Sequence, residues 1–183
     1  MKILNLQHIY RQTKKRGFTI VEALVAIFIL TTAITALLTV VTQSVFNSSY
    51  IKNKTSAMAL AQEGVELVRN IQDSNLLQNE YQSFEVFAGT VFTPCIFNEG
   101  MCTIDPLSLE IESCPNQECP PLRQNDGGYI TYLLTADETP FTRYITIRPT
   151  GQRSGIVGVR VEWEQGAVTR EVYYETDLFL WID

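Results

Sequence analysis

Histidine is almost missing from this chain: the single one, His8, stands near the start, and from residue 9 onward there is no imidazole. Over the rest of the chain that excludes Ser-His-Asp triads and His-based metal sites. A Walker loop, a GxGxxG turn and a nucleophile elbow are likewise missing, which removes the commonest signatures of nucleotide and acyl-transfer chemistry. No cofactor is expected. There is no acid before Glu22, no charged residue between Glu22 and Lys52, and no proline before Pro94. The first part of the chain therefore has neither the charge pattern nor the breakers of a soluble surface segment.

What is present is strongly asymmetric. The formal charge is −6 over 183 residues, yet Lys2, Arg11, Lys14, Lys15 and Arg16 all precede Phe18, leaving 9 bases against 20 acids in the remainder. A basic end and an acidic body face different environments. Phosphate-backbone binding needs clustered Lys and Arg, so the body is a poor nucleic-acid binder in general. With 45% apolar and 10% aromatic residues, the length suits one ordinary domain plus an attachment.

The attachment is Ala23 to Val41, nineteen residues without charge, Pro or Gly. As a helix it is roughly 28 Å long, about the thickness of the hydrocarbon layer. The bases before it place the N-terminus in the cytoplasm and the rest outside. A cleaved secretory signal fits less well, because its apolar region is shorter and the following TQSVFNSSYIKNK has no small-x-small cut site. A soluble buried helix is the remaining competitor. Glu22 in the first turn of an apolar run is costly at mid-bilayer, about 2.5–3.5 kcal/mol on insertion scales, and less near an interface. The plain reading is that it snorkels to the headgroups beside Arg16 and Lys15.

The local string adds a second reading. Lys14-Lys15-Arg16 followed by Gly17-Phe18-Thr19-Ile20-Val21-Glu22 and the apolar run closely resembles the type III signal of type IV prepilins and pseudopilins. The resemblance implies cleavage by a prepilin peptidase between Gly17 and Phe18, methylation of the Phe18 amine, and an assembly role for Glu22. In such a protein the free amine stays cationic near neutral pH, and the Glu22 carboxylate pairs with it or with that of a neighbouring subunit, more strongly in a low-dielectric setting. The competing class is a single-pass membrane-anchored binding domain that does not polymerise. It needs neither the leader nor the conjunction of Gly17, Phe18 and Glu22.

Beyond the span, Ala57, Leu60, Ala61, Gly64, Val65, Val68 and Ile71 form a helical stripe, with Lys54, Glu63, Arg69 and Asp73 off it. One helix from about Phe18 to Asn75, near 85 Å long, is expected, and its TSAMALAQEGVELVRNIQDSN is similar to the equivalent stretch of minor pilins. Leu76 to Gly128 has poor periodicity; Phe84–Phe87 and Gly89–Phe92 are strand candidates. It holds Cys95, Cys102, Cys114 and Cys119. Outside the cytoplasm an even count favours two disulfides over free thiols or a metal site, and no Cys-x2-Cys supports zinc. Spacing does not choose among three connectivities; Cys95–Cys102 with Cys114–Cys119 comes first because the short loops lie within each pair.

From Tyr129 the period becomes two. Tyr129–Thr135, Phe141–Arg148, Ile156–Glu164 and Val168–Glu175 read as strands, with ADETP and Gln165-Gly166 as connections and TDLFLW as a last strand. Val157, Val159, Val161 and Trp163 share the buried face. Acid pairs Asp137-Glu138, Glu162/Glu164 and Glu110/Glu112 read as a solvated face. Tyr129, Tyr132, Tyr173 and Trp181 are candidate surface or DNA contacts, with sheet packing the plainer reading.

The expected fold class is α+β: a long N-terminal helix whose first half spans a membrane and whose amphipathic second half packs on an antiparallel sheet, which is also the pilin-like layout that the resemblance implies. The expected organisation is a leader over 1–17, a transmembrane and assembly helix over 18–51, and an outer domain over 52–183, itself made of helix 52–75, Cys-containing loops 76–128 and sheet 129–182. Expected partners are prepilin peptidase, other pilin or pseudopilin subunits, the membrane through span 23–41, and an inner-membrane assembly platform. The expected place is the inner membrane, then a cell-surface or periplasmic filament. Major pilins carry glycine and proline breakers where this helix has Thr31, Thr32, Thr35 and Thr39. The cysteines precede the sheet, and the chain ends soon after it. These departures point to a minor subunit.

Overall fold

In the computed structural model, residues 17–78, 84–96, 100–128, 130–132 and 135–180 are described, without the side chains of Gln78, Glu85 and Val86. His8 and the five leader bases, Tyr129 and Trp181 lie outside them. The chain forms two units, divided between Phe46 and Asn47. Helix α1 runs Ile20–Gln78 and belongs to both.

In the first unit nothing along α1 is buried: its large apolar side chains from Ile20 to Phe46 are exposed on every side. In the second unit the same helix becomes one-sided. Ala57, Ala61, Val65, Val68 and Ile71 are buried at the expected helical spacing, with Leu67 and Gln72 beside them. The opposing surface is the sheet, from which Phe141, Ile145, Ile147, Val157, Val159, Val161 and Trp163 join the same core. Gly64 sets the closeness of approach, since a Cβ there would lie 2.9 Å from Val159 Cγ1 and 3.1 Å from Arg143 Cδ. Gln72 Nε2 donates to Phe179 O at 2.9 Å and ties the helix to the last strand.

Helix α2, Phe84–Val91, and the short α3, Thr93–Ile96, follow. The strand candidates at Phe84–Phe87 and Gly89–Phe92 are thus corrected to helix and a turn. Phe84, Phe87, Ala88 and Phe92 are all buried, and their spacing brings one helical face to the core. Phe87 stacks edge-on against Phe84 and Phe92.

Among the described residues seven strands make one sheet, and every pairing described is antiparallel: β1 Cys102–Ile104, β2 Ile111–Ser113, β3 Pro121–Gln124, β4 Ile130–Thr131, β5 Asp137–Pro149, β6 Ser154–Gln165 and β7 Val168–Phe179. β5 is the hub. β6 lies along one edge with β7 beyond it; on the other edge β3 pairs with the start of β5 and β1 meets Ile145. Three of these strands fall inside the stretch whose period is unreadable, because strands of three or four residues are too short to show one. Asp137–Pro140, expected as connection, opens β5: Asp137 and Glu138 pair with Gln124 and Arg123, and Pro140 falls where the β3 register shifts. A bulge tolerates a residue with no N–H to give. The β6–β7 hairpin turns on Gly166 and Ala167, with Gly166 at φ +65. A glycine at the first central position is the requirement of a type II′ turn. β7 is longer than expected and absorbs most of TDLFLW into one strand.

Arg143 breaks the inward apolar pattern of β5. It is fully buried, its guanidinium donating to Leu60 O at 3.3 Å, Glu63 Oε2 at 3.0 Å and Ile104 O at 3.0 Å. One side chain thereby joins α1, β5 and β1. Burial pushes the neighbouring Tyr132 phenol up, and the Arg143 charge opposes that shift.

Candidate processing and assembly site

Gly17, Phe18 and Thr19 lead into α1 without regular structure. The helix starts where it does because Thr19 caps it: its carbonyl accepts the first helical bond from Ala23 N at 3.1 Å, and its Oγ1 accepts from Glu22 N at 3.3 Å. A side-chain oxygen at this position satisfies one of the helix's orphan donors. Glu22 is the acid of the first turn, where the positive end of the helix dipole favours a negative charge. Thr19 is absent from the residues that the sequence reading singles out. The Thr-x-x-Glu spacing of a capping box is the signal that carries it.

Phe18 and Glu22 are exposed, and their side chains take no part in the packing of the described residues. A Cβ at Gly17 would meet nothing within 4 Å. Packing among the described residues therefore gives no reason for a glycine there.

After Glu22, α1 is long and apolar enough to cross a membrane. Its threonines fit that setting. Thr31, Thr32, Thr35, Thr39 and Thr42 each turn the hydroxyl back onto a carbonyl three or four residues earlier, at 2.9–3.1 Å. The helix meets its own polar demand, as a segment in hydrocarbon must.

The structure pairs Cys95 with Cys102 and Cys114 with Cys119. The first bond ties α3 to β1. The second closes a turn around Pro115–Gln117, in which Asn116 and Gln117 hold positive φ of 54 and 63. The acid pairs are dispersed rather than convergent: Glu138 pairs with Arg123, Glu162 with Arg160, and Glu110 and Glu112 border a cleft of about 300 Å³ beside Asp105. The Asp105 carboxylate serves the fold. Burial alone would raise its pKa, but donors from Tyr132 N, Ser108 N, Thr131 Oγ1 and Leu107 N hold it below the ordinary value. Tyr173 is exposed on β7 with its hydroxyl on Glu175, a bond that raises its pKa further than burial does.

Comparison with protein families finds a match to the prokaryotic N-terminal methylation motif over residues 12–38. Comparison with curated proteins and with solved structures finds no match. The matched stretch covers the basic cluster, Gly17, Phe18, the capping Thr19, Glu22 and the first turns of the apolar helix, followed in the chain by an α+β unit built on an antiparallel sheet. The N-terminal methylation motif, with the long apolar helix and the antiparallel sheet that follow it, supports a type IV prepilin- or pseudopilin-like protein.

Proposed function

We propose that this chain is a minor pilin or pseudopilin. Prepilin peptidase removes residues 1–17, the Phe18 amine is methylated, and the product is held in the inner membrane by the helix over 18–51 with the 52–183 domain outside. From there it is drawn into a filament through that helix by an assembly platform and by other subunits. The observation that carries this is the conjunction of Gly17, Phe18 and Glu22 with a capped helix start: a glycine that packing does not require, next to a carboxylate placed one helical turn on.

The electrostatics favour the same reading. An amine freed at Phe18 is cationic near neutral pH, and the positive end of a helix dipole disfavours it. Glu22, in that first turn, supplies the compensating charge, to its own chain's amine or to that of the subunit added before it. Glu22→Ala should therefore be processed normally and fail to enter filaments; incorporation at the wild-type level would remove the pairing role.

The deciding experiment is an intact mass and N-terminal fragment spectrum of the unreduced protein from its own membranes. A chain beginning at Phe18 with one added methyl group, and lacking four cysteine hydrogens, is the expected result. A chain beginning at Met1 in cells with active peptidase overturns the processing, and one beginning after Val41 turns the span into a secretory signal.

A further inference from the structure

Among the described residues the sheet ends in three terminal strands of unequal length. β2 has three residues and β4 two, too few to offer a row of main-chain groups. β7 has twelve and pairs with β6 without a register shift, from Gln165 opposite Val168 to Ser154 opposite Phe179. Its other edge meets no strand among the described residues. A proline, a lysine or a bulge commonly blunts such an edge, and β7 carries none of the three. The strand lies wholly within the second unit.

The two faces of β7 say what fits beside it. Thr169, Glu171, Tyr173, Glu175 and Asp177 alternate on the solvent side and are exposed. On the other side Val172 and Leu178 are buried, and Tyr174 packs against the core. Glu171 stands directly opposite Glu162 on β6, and like charges in that position weaken a sheet. The solvent face is thus acidic at a cost to the fold. Glu175 is shared by Arg148 and the Tyr173 hydroxyl, so Glu171 and Asp177 are the acids that a partner meets. A strand added beside β7 continues both faces: bases next to these acids, within reach of the exposed Tyr173 ring, and apolar side chains next to Val172 and Tyr174. A second copy of β7 fits poorly, because it crowds Glu171, Glu175 and Asp177 against their counterparts.

We propose that β7 is a docking edge for an extended segment of another protein, which joins the sheet as a further strand with Lys or Arg on its solvent face and apolar side chains on its inner face. Main-chain hydrogen bonds along residues 169–177 attach the segment, and the Glu171 and Asp177 carboxylates select it. This contact goes beyond assembly through α1. It belongs to the outer unit alone and holds whether or not the apolar helix enters a filament.

The test uses the full chain in neutral detergent with three end-blocked peptides of about nine residues, enough to line the edge. One alternates lysine with valine, one alternates glutamate with valine, and the third is the lysine peptide with its backbone N–H groups methylated. Fluorescence anisotropy measures binding and amide hydrogen exchange locates it. The lysine peptide should bind about tenfold more tightly than the glutamate peptide and slow exchange over 169–177. Its affinity should fall about threefold in each of Glu171→Gln and Asp177→Asn, both exposed positions outside the core, and weaken with added salt. No binding, or equal binding of the glutamate peptide, overturns the proposal. Equal binding of the methylated peptide reduces the contact to charge alone and overturns the docking edge, as does protection confined to residues outside β7. Exchange over 169–177 that slows as the chain is concentrated without peptide makes a second copy the occupant and overturns the basic partner.

Discussion

The two halves of α1 are one continuous helix under two different rules. Before Phe46 the apolar residues are exposed on every side, and the threonine hydroxyls are bonded to carbonyls of the same helix. After Asn47 the apolar residues narrow to one stripe, and polar side chains reach other elements: Glu63 meets Arg143, and Gln72 meets Phe179 O. The first half is complete in itself and asks only for an apolar surrounding. The second half is specified residue by residue by the sheet. A substitution should therefore be felt in the first half through what surrounds the helix, and in the second through what it packs on.

The largest effect that sharpens this contrast is expected at Arg143. Arg143→Ala removes the side chain that bonds Leu60 O, Glu63 and Ile104 O together, and leaves a cavity. Glu63 is 38% exposed, so water can take over part of its need, and a loss of about 3 kcal/mol is expected rather than the upper end for broken buried pairs. Arg143→Met keeps volume and should lose less. Denaturant unfolding of the full chain in detergent, followed by near-ultraviolet circular dichroism, measures both; equal losses would assign the cost to the hydrogen bonds rather than to the space.

Next is Gly155, where a Cβ would lie 2.0 Å from Cε1 of the buried Phe84 ring. Gly155→Ala should cost about 2 kcal/mol, since α2 must shift or the ring must leave its place. Phe84→Leu in the same chain should recover part of that cost, although it is destabilising alone. Additive losses would show that α2 does not press on β6 as the distances state.

How much of this was legible follows from element length. The apolar run, the stripe from Ala57 to Ile71 and the alternation of β6 extend over several periods, and sequence carries them. The strands at Cys102, Ile111 and Pro121 span three or four residues, too few for a period to show. Phe84, Phe87, Ala88 and Phe92 do carry a helical spacing, which aromatic residues and a glycine disguise as strand. Arg143 reads from sequence as a charge on a strand; only the fold gives it Leu60 O and Ile104 O. At the N-terminus the methylation motif was legible because it is local, while the Thr19 cap was legible in principle through its spacing to Glu22.

A smaller effect separates the halves by pH. Asp105 lies in the sheet unit, and its carboxyl is held below the ordinary value of 3.8 by four donors. A lowered folded-state pKa stabilises the folded form above the unfolded value, and that contribution disappears as pH falls through about 4 and below. Stability of the outer unit should drop over that window, and Asp105→Asn should flatten the dependence at the expense of a lower plateau near neutrality. An unchanged slope would assign the acid sensitivity to other carboxylates.

The smallest expected effect tests the comparison most directly, with one chemical change made in both halves. At Thr131 the hydroxyl gives Asp105 a bond of 2.8 Å in a buried place, so Thr131→Val should cost about 1–2 kcal/mol, as expected when a buried acceptor loses a donor. At Thr35 the hydroxyl donates to Thr31 O and Thr32 O at 3.0 Å, and when it is removed those carbonyls keep their place in the helix. Thr35→Val should therefore alter membrane insertion by less than about 0.5 kcal/mol, measured as the membrane-inserted fraction of the full chain. Filament incorporation should then match wild type. If Thr35→Val inserts normally yet is excluded from filaments as Glu22→Ala is expected to be, its hydroxyl must bond a neighbouring helix there, and the first half of α1 is not complete in itself.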